Sequence, residues 1–238
     1  EGRVATIMPE EHCLEKQIFE FESKADLGEA KSGDAVIAEI VSRGSKRCLV
    51  KTREVVKDLG NLNNIIVMAV LMNDIPSTWP DNMPKALAHI PDTVSPDDWR
   101  GRNDIRNVPL MTIDGEDARD FDDAVYCRRE QGGWRLFVAI ADVSYYVRPG
   151  SILDKEAVNR CNSCYFPNYV IPMLPEKLSN GICSLNPEVD RLCMCCEMKI
   201  AQDGSMENYR FYPAVMRSHA RLTYNEAWMM ISEGKAQY

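Results

Sequence analysis

The sequence predicts a β-rich α+β protein in which a small barrel precedes a second, larger region. Two observations predict this fold class. Short apolar stretches alternate with segments rich in Gly, Asp, Glu, Lys and Ser, which is the pattern of strands joined by turns. Helical patterns interrupt these stretches at only three places. The 238 residues, of which 45% are hydrophobic, are enough for one or two domains with cores of their own.

The first region runs to about residue 74 and contains four predicted strands, at residues 3–8, 14–21, 35–42 and 48–56. Short strands at this spacing favour a small barrel. The five-stranded oligonucleotide-binding (OB) fold is one such barrel, although others share the pattern. A helix is predicted next, because apolar residues fall at positions i, i+3, i+4 and i+7. Its apolar side is expected to pack against the barrel through Ile65, Met68, Ala69 and Met72.

A run of basic residues lies between residues 43 and 57, where six Lys and Arg side chains accompany one acid, Glu54. This excess predicts a track for phosphate groups, with Lys46, Arg47 and Lys51 as candidate contacts. A solvated charged face is the alternative. The net charge of −8 argues against a protein that binds nucleic acid over its whole surface. A local track or a metal-mediated site remains compatible with that charge.

Five prolines punctuate residues 75–107, which have little periodicity and are interpreted as an ordered linker. The second region begins near Val108 with a short strand, followed by an acidic segment and a second strand. A turn at residues 131–133 then leads into a long strand predicted over residues 134–147. The acidic segment is therefore expected at the start of a hairpin.

Two further helices are predicted from their capping residues. Ser151 is placed to cap one helix, with Asp154 in the partner position. Thr223 and Glu226 form a capping box that opens a last helix, which Gly234 can close. Between these helices, strands over residues 192–200 and 206–216 flank a turn at Asp203-Gly204.

The acidic segment "TIDGEDARDFDDAV", residues 112–125, contains six carboxylates within ten residues, and Arg119 is its only base. Neighbouring carboxylates resist simultaneous ionisation, so the cluster is either a solvated loop or a cation site. A calcium EF-hand fails on spacing, because the sixth position counted from Asp114 is Arg119 rather than Gly. A paired-carboxylate glycosidase is less favoured, since its two acids usually come from separate strands. Magnesium-dependent phosphoryl transfer fits best, because Mg²⁺ prefers hard oxygen ligands.

The cysteines and the apolar segments indicate the setting of the chain. Nine cysteines, an odd number, without a visible secretory signal favour a reducing, cytoplasmic location. No apolar run approaches the roughly 20 residues that span a bilayer, so no membrane partner is expected. Two CxxC spacings could form a zinc site, but one lies in a predicted strand, where residues i and i+3 point to opposite faces.

These motifs together resemble a known family. The acidic segment resembles the catalytic signature of the ribonuclease II and ribonuclease R (RNB) exoribonucleases. Four later stretches resemble the sequence that follows this signature, and they are "WRLFVAIADVSYYV", "YFPNYVIPMLPEKLSNGICSLNP", "DRLCMCCEM" and "SHARLTY". The resemblance is strongest to the bacterial ribonuclease R branch and runs from about Val108 to Tyr224. Upstream it weakens, but it is compatible with the second cold-shock domain of the family.

The resemblance implies an activity and a set of site residues. The activity is 3′→5′ hydrolysis of single-stranded RNA from its 3′ end to nucleoside 5′-monophosphates, with Mg²⁺ or Mn²⁺. The four metal-binding aspartates of the family correspond to Asp114, Asp120, Asp122 and Asp123, and Asp122 is the most critical to the chemistry. The aromatic residue that stacks on a base near the RNA 3′ end corresponds to Tyr165. Without the resemblance, Tyr165 would be interpreted as a core aromatic.

The resemblance also implies a domain arrangement and two competing functions. A cold-shock-like OB domain is expected over residues 1–74, a linker over 75–107 and the N-terminal part of an RNB catalytic domain over 108–238. The catalytic domain of the family extends further, so we expect this sequence to be a fragment or a shortened form. The leading hypothesis is an exoribonuclease. The alternative is a non-catalytic RNA-binding module or inactive fragment, in which Lys46, Arg47 and Lys51 hold the RNA.

Overall fold

The computed structural model describes residues 5–9, 17–56 and 61–234. The chain divides between Ser77 and Thr78 into two compact units. Parts of the first two predicted strands and Lys57 of the basic run lie outside the described residues. The domain limits at residues 74 and 107 stay a prediction.

The described part of the first unit contains one four-stranded sheet in the order β1-β2-β4-β3. β2 and β4 are parallel, whereas β1 pairs with β2 and β3 pairs with β4 in antiparallel fashion. Among these described strands the sheet is open, with β1 and β3 at its edges. Within the described residues each of the four predicted strands is confirmed, and closure into a barrel stays a prediction. The strands and helices are β1 (Thr6–Ile7), β2 (Ile18–Phe21), α1 (Lys24–Leu27), β3 (Ala35–Arg43), β4 (Arg47–Val56) and α2 (Leu62–Met72).

The α2 helix is confirmed, but its predicted buried face is only partly correct. Ile66 and Val70 are the buried residues, Met68 and Ala69 are half-buried, and Ile65 and Met72 are 49% and 52% exposed. Seven of the eight residues from Ile65 to Met72 are large and apolar, and the eighth is alanine. Several faces of the helix therefore fit the same spacing. Packing against the unit selected a face that the periodicity alone could not.

The second unit is built on a larger sheet. Its described strands form a seven-stranded sheet in the order β13-β6-β7-β8-β11-β12-β5, and β9 and β10 form a separate hairpin. The strands are β5 (Asn103–Asp104), β6 (Met111–Asp114), β7 (Asp123–Glu130), β8 (Gly133–Ala141), β9 (Cys164–Phe166), β10 (Tyr169–Ile171), β11 (Asp190–Ala201), β12 (Met206–Arg217) and β13 (Ala220–Thr223). The helices are α3 (Met83–Leu87), α4 (Val143–Tyr146), α5 (Ile152–Arg160) and α6 (Tyr224–Glu233), with a helical turn at Lys177–Ile182.

One face of this sheet forms the main core of the unit. Phe121 lies in it beside small side chains from neighbouring strands, which include Ala124, Ala139, Cys193 and Cys195. Alternate residues of a strand face opposite sides, so Cys196 of the second CxxC spacing lies on the other face of β11 from Cys193. The strand predicted over residues 192–200 is confirmed.

The long strand predicted over residues 134–147 is wrong in its second half. β8 ends at Ala141, and α4 replaces the continuation. Asp142 forms an ion pair with Arg102 at 2.6 Å, and the hydroxyl of Tyr145 donates to Asp98 at 2.7 Å. Val, Tyr and Tyr favour strands locally, but these distant partners bend the chain into a helical turn.

The two capped helices are confirmed. Ser151 accepts a hydrogen bond from the amide of Asp154 at 3.1 Å, and the Asp154 carboxylate in turn accepts from the amide of Gly150. Thr223 and Glu226 form the complete capping box at the start of α6. The helix ends at Gly234, whose φ of 65° is the left-handed conformation that glycine adopts without strain.

The proline-rich segment contributes to a second core cluster of this unit. Met83 and Ile90 pack there with Leu153, Leu178 and Ile182. Beside this cluster the buried Arg160 pairs with Glu156 at 2.8 Å and lies over the ring of Trp79. Among the described residues, no helix is both long enough and apolar enough to cross a membrane.

Candidate functional site

The acidic segment forms the connection between two neighbouring strands. Asp114 is the last residue of β6, and Asp123 is the first residue of β7. The strands are antiparallel, with Met111 opposite Val125. The hairpin therefore joins the two ends of the acidic segment to neighbouring strands.

The carboxylates of the predicted metal site lie close enough to affect one another. The pKa of Asp122 is raised, first by partial withdrawal of its carboxylate from water and then by the charges of Asp120, Asp123 and Asp114. Glu116 and Asp117, the other two acids of the segment, are exposed in the connecting loop. The fold thus places the four aspartates that the sequence singled out at one hairpin.

The backbone of the segment is held on its core side. The ring of Phe121 is only 5% exposed. The amide of Leu185 donates to the carbonyl of Phe121, and the amide of Ala141 donates to the carbonyl of Asp122, both at 2.9 Å. These contacts place the main chain around Asp122 against the sheet.

Arg221 holds the other end of the connecting loop. It lies on β13, which runs parallel to β6 with Thr223 level with Asp114. Its guanidinium donates to the carbonyl of Gly115 at 2.9 Å and also to that of Glu116. Sequence reasoning gave Arg221 no role. The only signal for it was its place in the "SHARLTY" stretch, because its partners are more than 100 residues away.

Tyr165 lies beside the acidic segment and outside the core. It is the middle residue of β9, which pairs with β10 in a short hairpin. The residue is 65% exposed, so its interpretation as a core aromatic is wrong. Its hydroxyl donates to the Oδ2 atom of Asp120 at 2.6 Å, and this hydrogen bond raises the pKa of Tyr165 to about 12. The exposed ring and the aspartates are therefore parts of one site.

The candidate phosphate contacts lie in the first unit. Lys46 precedes β4, and Arg47 and Lys51 lie on the face of β4 opposite the buried Cys48 and Val50. All three cations are exposed, and Arg47 is 3.6 Å from Glu20. The strand therefore presents part of the predicted track to solvent.

The aspartates fit a divalent cation in donor type and charge, but their side chains do not converge as a ligand set. Among the described residues, no three His, Cys, Asp or Glu side chains are placed to ligate one ion. Asp120 is bound to Tyr165, and one oxygen of Asp114 accepts from the amide of Gly115 at 2.7 Å. Ligation by three or more of the aspartates would require these side chains to exchange partners. Hard oxygen ligands with several negative charges are nevertheless the donors that Mg²⁺ and Mn²⁺ prefer.

Comparison with known proteins assigns most of the second unit to one family. The RNB domain matches residues 102–238. Ribonuclease R of Vibrio parahaemolyticus is 54% identical over 200 residues, which cover 83% of this chain and 24% of that protein. The matched part covers about a quarter of the length of this relative and of Escherichia coli ribonuclease R.

Solved structures resemble both units. Mycoplasma genitalium RNase R in complex with double-stranded RNA matches with a TM-score of 0.84 and 26% identity, covering 93% of this chain and 40% of that one. A yeast pseudonuclease matches with a TM-score of 0.78 and 14% identity, covering 99% of this chain and 31% of that one. The second likeness concerns the fold alone.

Substitution of Asp122 by Asn is expected to stabilise the metal-free chain at neutral pH. A raised pKa means that the folded state disfavours the ionised carboxylate, so the wild type loses stability as the pH rises through the folded pKa. Asn keeps the shape and removes the charge. The expected gain is about 0.5 kcal/mol, the scale of charge interactions near a protein surface, and it should vanish in acid, where Asp122 is protonated.

Urea unfolding with a chelator present, at neutral pH and at about pH 3, below the ordinary Asp pKa, measures this gain. Asp117→Asn is the matched control, because Asp117 is exposed in the same loop and does not raise the pKa of Asp122. Equal effects of the two substitutions at neutral pH would contradict the prediction.

Proposed function

The chain belongs to the RNB-domain family, and on that premise we propose that it carries the metal-binding part of a 3′→5′ exoribonuclease. The reaction is hydrolysis of the terminal phosphodiester of single-stranded RNA, which releases a nucleoside 5′-monophosphate and leaves a 3′-hydroxyl on the shortened chain. The observation that carries the proposal is the group of four aspartates at one hairpin, with the exposed ring of Tyr165 bound to one of them.

The substrate class has support from the relatives. Two matching structures of Mycoplasma genitalium RNase R contain RNA, one double-stranded and one ribose-methylated and single-stranded. Their likeness to this chain supports RNA as its ligand. We also propose that the RNA enters by its 3′ end and that the chain acts in the cytoplasm.

The aspartates would hold the cation. RNB exoribonucleases generally depend on a divalent metal. Asp114, Asp120, Asp122 and Asp123 would bind Mg²⁺ or Mn²⁺, which lowers the pKa of a bound water and polarises the phosphoryl oxygens. Burial and, after it, the neighbouring carboxylates raise the pKa of Asp122, and a nearby positive charge would favour its ionised form.

Tyr165 would orient the end of the RNA. An aromatic ring accepts any base, because every base has a π-face, and this suits an enzyme that degrades RNA without regard to sequence. In the structure, the hydrogen bond from its hydroxyl to Asp120 holds the ring beside the carboxylates. A base stacked on Tyr165 would therefore bring its phosphate near the aspartates.

A second function is favoured by the basic face of β4. Arg47 and Lys51 lie on the same side of this strand. Such a stripe can bind the RNA backbone without catalysis. In this alternative the first unit binds RNA, and the second unit only supports it.

Hydrolysis of a 5′-labelled single-stranded RNA by the 238-residue chain with Mg²⁺ tests the enzymatic proposal. The expected product is a ladder that shortens from the 3′ end. Asp122→Asn should abolish it while changing RNA affinity little, because the substitution removes one metal-binding carboxylate and leaves the rest of the surface intact. Asp117→Asn is the control that should retain hydrolysis. Equal turnover by the parent and Asp122→Asn would overturn the assignment.

Tyr165 is expected to contribute through its ring more than through its hydroxyl. Tyr165→Ala should weaken binding of a short RNA by about 1–3 kcal/mol, the usual value of one base–aromatic stack. Tyr165→Phe should retain most of the affinity. Fluorescence anisotropy with a labelled oligonucleotide, in a chelator so that no hydrolysis occurs, measures both. Equal losses for Ala and Phe would assign the role to the hydroxyl instead.

The binding alternative predicts a different outcome for the basic residues. Joint replacement of Lys46, Arg47 and Lys51 by Ala should weaken RNA binding and flatten its salt dependence, because each phosphate contact releases counterions. Binding should also persist without metal. Lys24, Lys31 and Lys85 offer a control triple, since their joint replacement removes the same net charge outside β4. Unchanged RNA affinity after replacement of Lys46, Arg47 and Lys51 would exclude the basic face of β4 as the binding surface.

A further inference from the structure

A buried serine joins the two peptide groups on either side of Asp120. Ser184 is 1% exposed. Its hydroxyl donates to the carbonyl of Arg119 at 2.8 Å and accepts from the amide of Phe121 at 3.0 Å. A hydroxyl has one donor and free acceptor lone pairs, so one side chain can satisfy both groups. The backbone groups before and after Asp120 are therefore both hydrogen-bonded to the Oγ atom of Ser184.

The hydrogen bonds around Ser184 hold the main chain of the acidic segment. The next residue, Leu185, donates its amide to the carbonyl of Phe121, and Ala141 of β8 donates to the carbonyl of Asp122. Ser184 and Leu185 therefore bind both the amide and the carbonyl of Phe121. Asp120 and Asp122 flank this fixed residue, so the separation of their Cα atoms follows from its position.

Ser184 is itself held by a buried arginine. Arg191 of β11 is 8% exposed, and its guanidinium donates to the carbonyl of Ser184 at 2.8 Å. The same group donates to the carbonyls of Gly181 at 3.1 Å and Asp190 at 3.0 Å. A planar guanidinium fixes its partners in a rigid arrangement. Arg191 thus attaches Ser184 to the seven-stranded sheet.

We infer that Ser184 is a positioning residue that sets where the main chain of Asp120 and Asp122 lies, and through it the affinity of the site for a divalent cation. This inference rests on the proposed function. The Ser184 hydroxyl donates one hydrogen bond and accepts another, and both partners are backbone groups. Ser184 therefore acts through the main chain of the acidic segment and does not contact the reacting atoms.

Ser218 offers a matched control in the same unit. It is also 1% exposed, and its hydroxyl donates to a backbone carbonyl, that of Ala220, at 3.1 Å. None of its hydrogen bonds described here reaches residues 114–123. Ser218→Ala therefore removes an equally buried hydroxyl without releasing the acidic segment.

The test compares the parent chain with Ser184→Ala and Ser218→Ala in two measurements. Isothermal titration with Mn²⁺ measures metal affinity without requiring activity. Amide hydrogen exchange in a chelator measures the mobility of residues 119–122 without metal. Ser184→Ala is expected to weaken Mn²⁺ binding about 10- to 100-fold, the usual effect of removing a group that orients metal ligands. It should also accelerate exchange of the Phe121 amide, whereas Ser218→Ala should leave both quantities near the parent values.

The outcomes separate this inference from the proposed function. Parent-like Mn²⁺ affinity in Ser184→Ala, or equal losses in both variants, would overturn the inference while leaving the metal site in place. A parent chain that does not bind Mn²⁺ would overturn the proposed metal site. In that case the exchange measurement still decides the positioning role, because unchanged Phe121 exchange in Ser184→Ala contradicts it and faster exchange supports it. Ser184→Cys, similar in size with a weaker donor, replaces the alanine variant if that variant does not fold.

Discussion

The burial of Phe121 and the hydrogen bonds of its backbone are the constraint on which the candidate site of the second unit depends. Partial burial of the Asp122 carboxylate, and after it the charges of Asp120, Asp123 and Asp114, raises the pKa of Asp122, and a free loop would let these side chains separate. The fold opposes this tendency on the other side of the backbone. Phe121 is buried between the two aspartates that flank it and is bonded through both its amide and its carbonyl. The packing of Phe121 and the hydrogen bonds of its main chain thus offset the unfavourable free energy of the neighbouring carboxylates, which lie on the solvent side of the segment.

The strands around the acidic segment explain why the fold tolerates neighbouring carboxylates. β6 and β7 bring the segment to an end of a sheet whose core face carries small side chains, including Ala124, Ala139 and Cys193. A site supported by strands keeps its geometry better than one supported by loops. Arg221 fixes the start of the connecting loop, and Ser184 fixes its end. Both lie far along the chain from the aspartates, so the site exists only once the sheet has assembled.

Tyr165 links the chemistry of the segment to recognition of a ligand. Its ring is placed mainly by one hydrogen bond to Asp120 and by a two-stranded hairpin, and it remains open to solvent. A change in the position of Asp120 would therefore move the ring as well. The basic face of β4 is a separate device in the other unit, and it shows how a chain with a net charge of −8 can present a local cationic surface.

The sequence by itself determined the features that depend on nearby residues. Short apolar stretches between turn-rich segments predicted nine of the strands, whereas β5, β9, β10 and β13 were not predicted. Thr223 with Glu226 predicted the start of α6. The spacing of the aspartates, read together with the flanking motifs, indicated the family. These signals are local, because turns, caps and strand faces are decided within a few residues.

Only the tertiary structure decided the features that depend on distant partners. The apolar run in α2 fitted several faces, and packing chose Ile66 and Val70. The strand-like residues after β8 became α4 in a region where Asp142 and Tyr145 bind Arg102 and Asp98. Ser184 and Phe121 are 63 residues apart, so no local pattern could reveal their hydrogen bond. The sequence could name the carboxylates, but their mutual placement is a property of the assembled sheet.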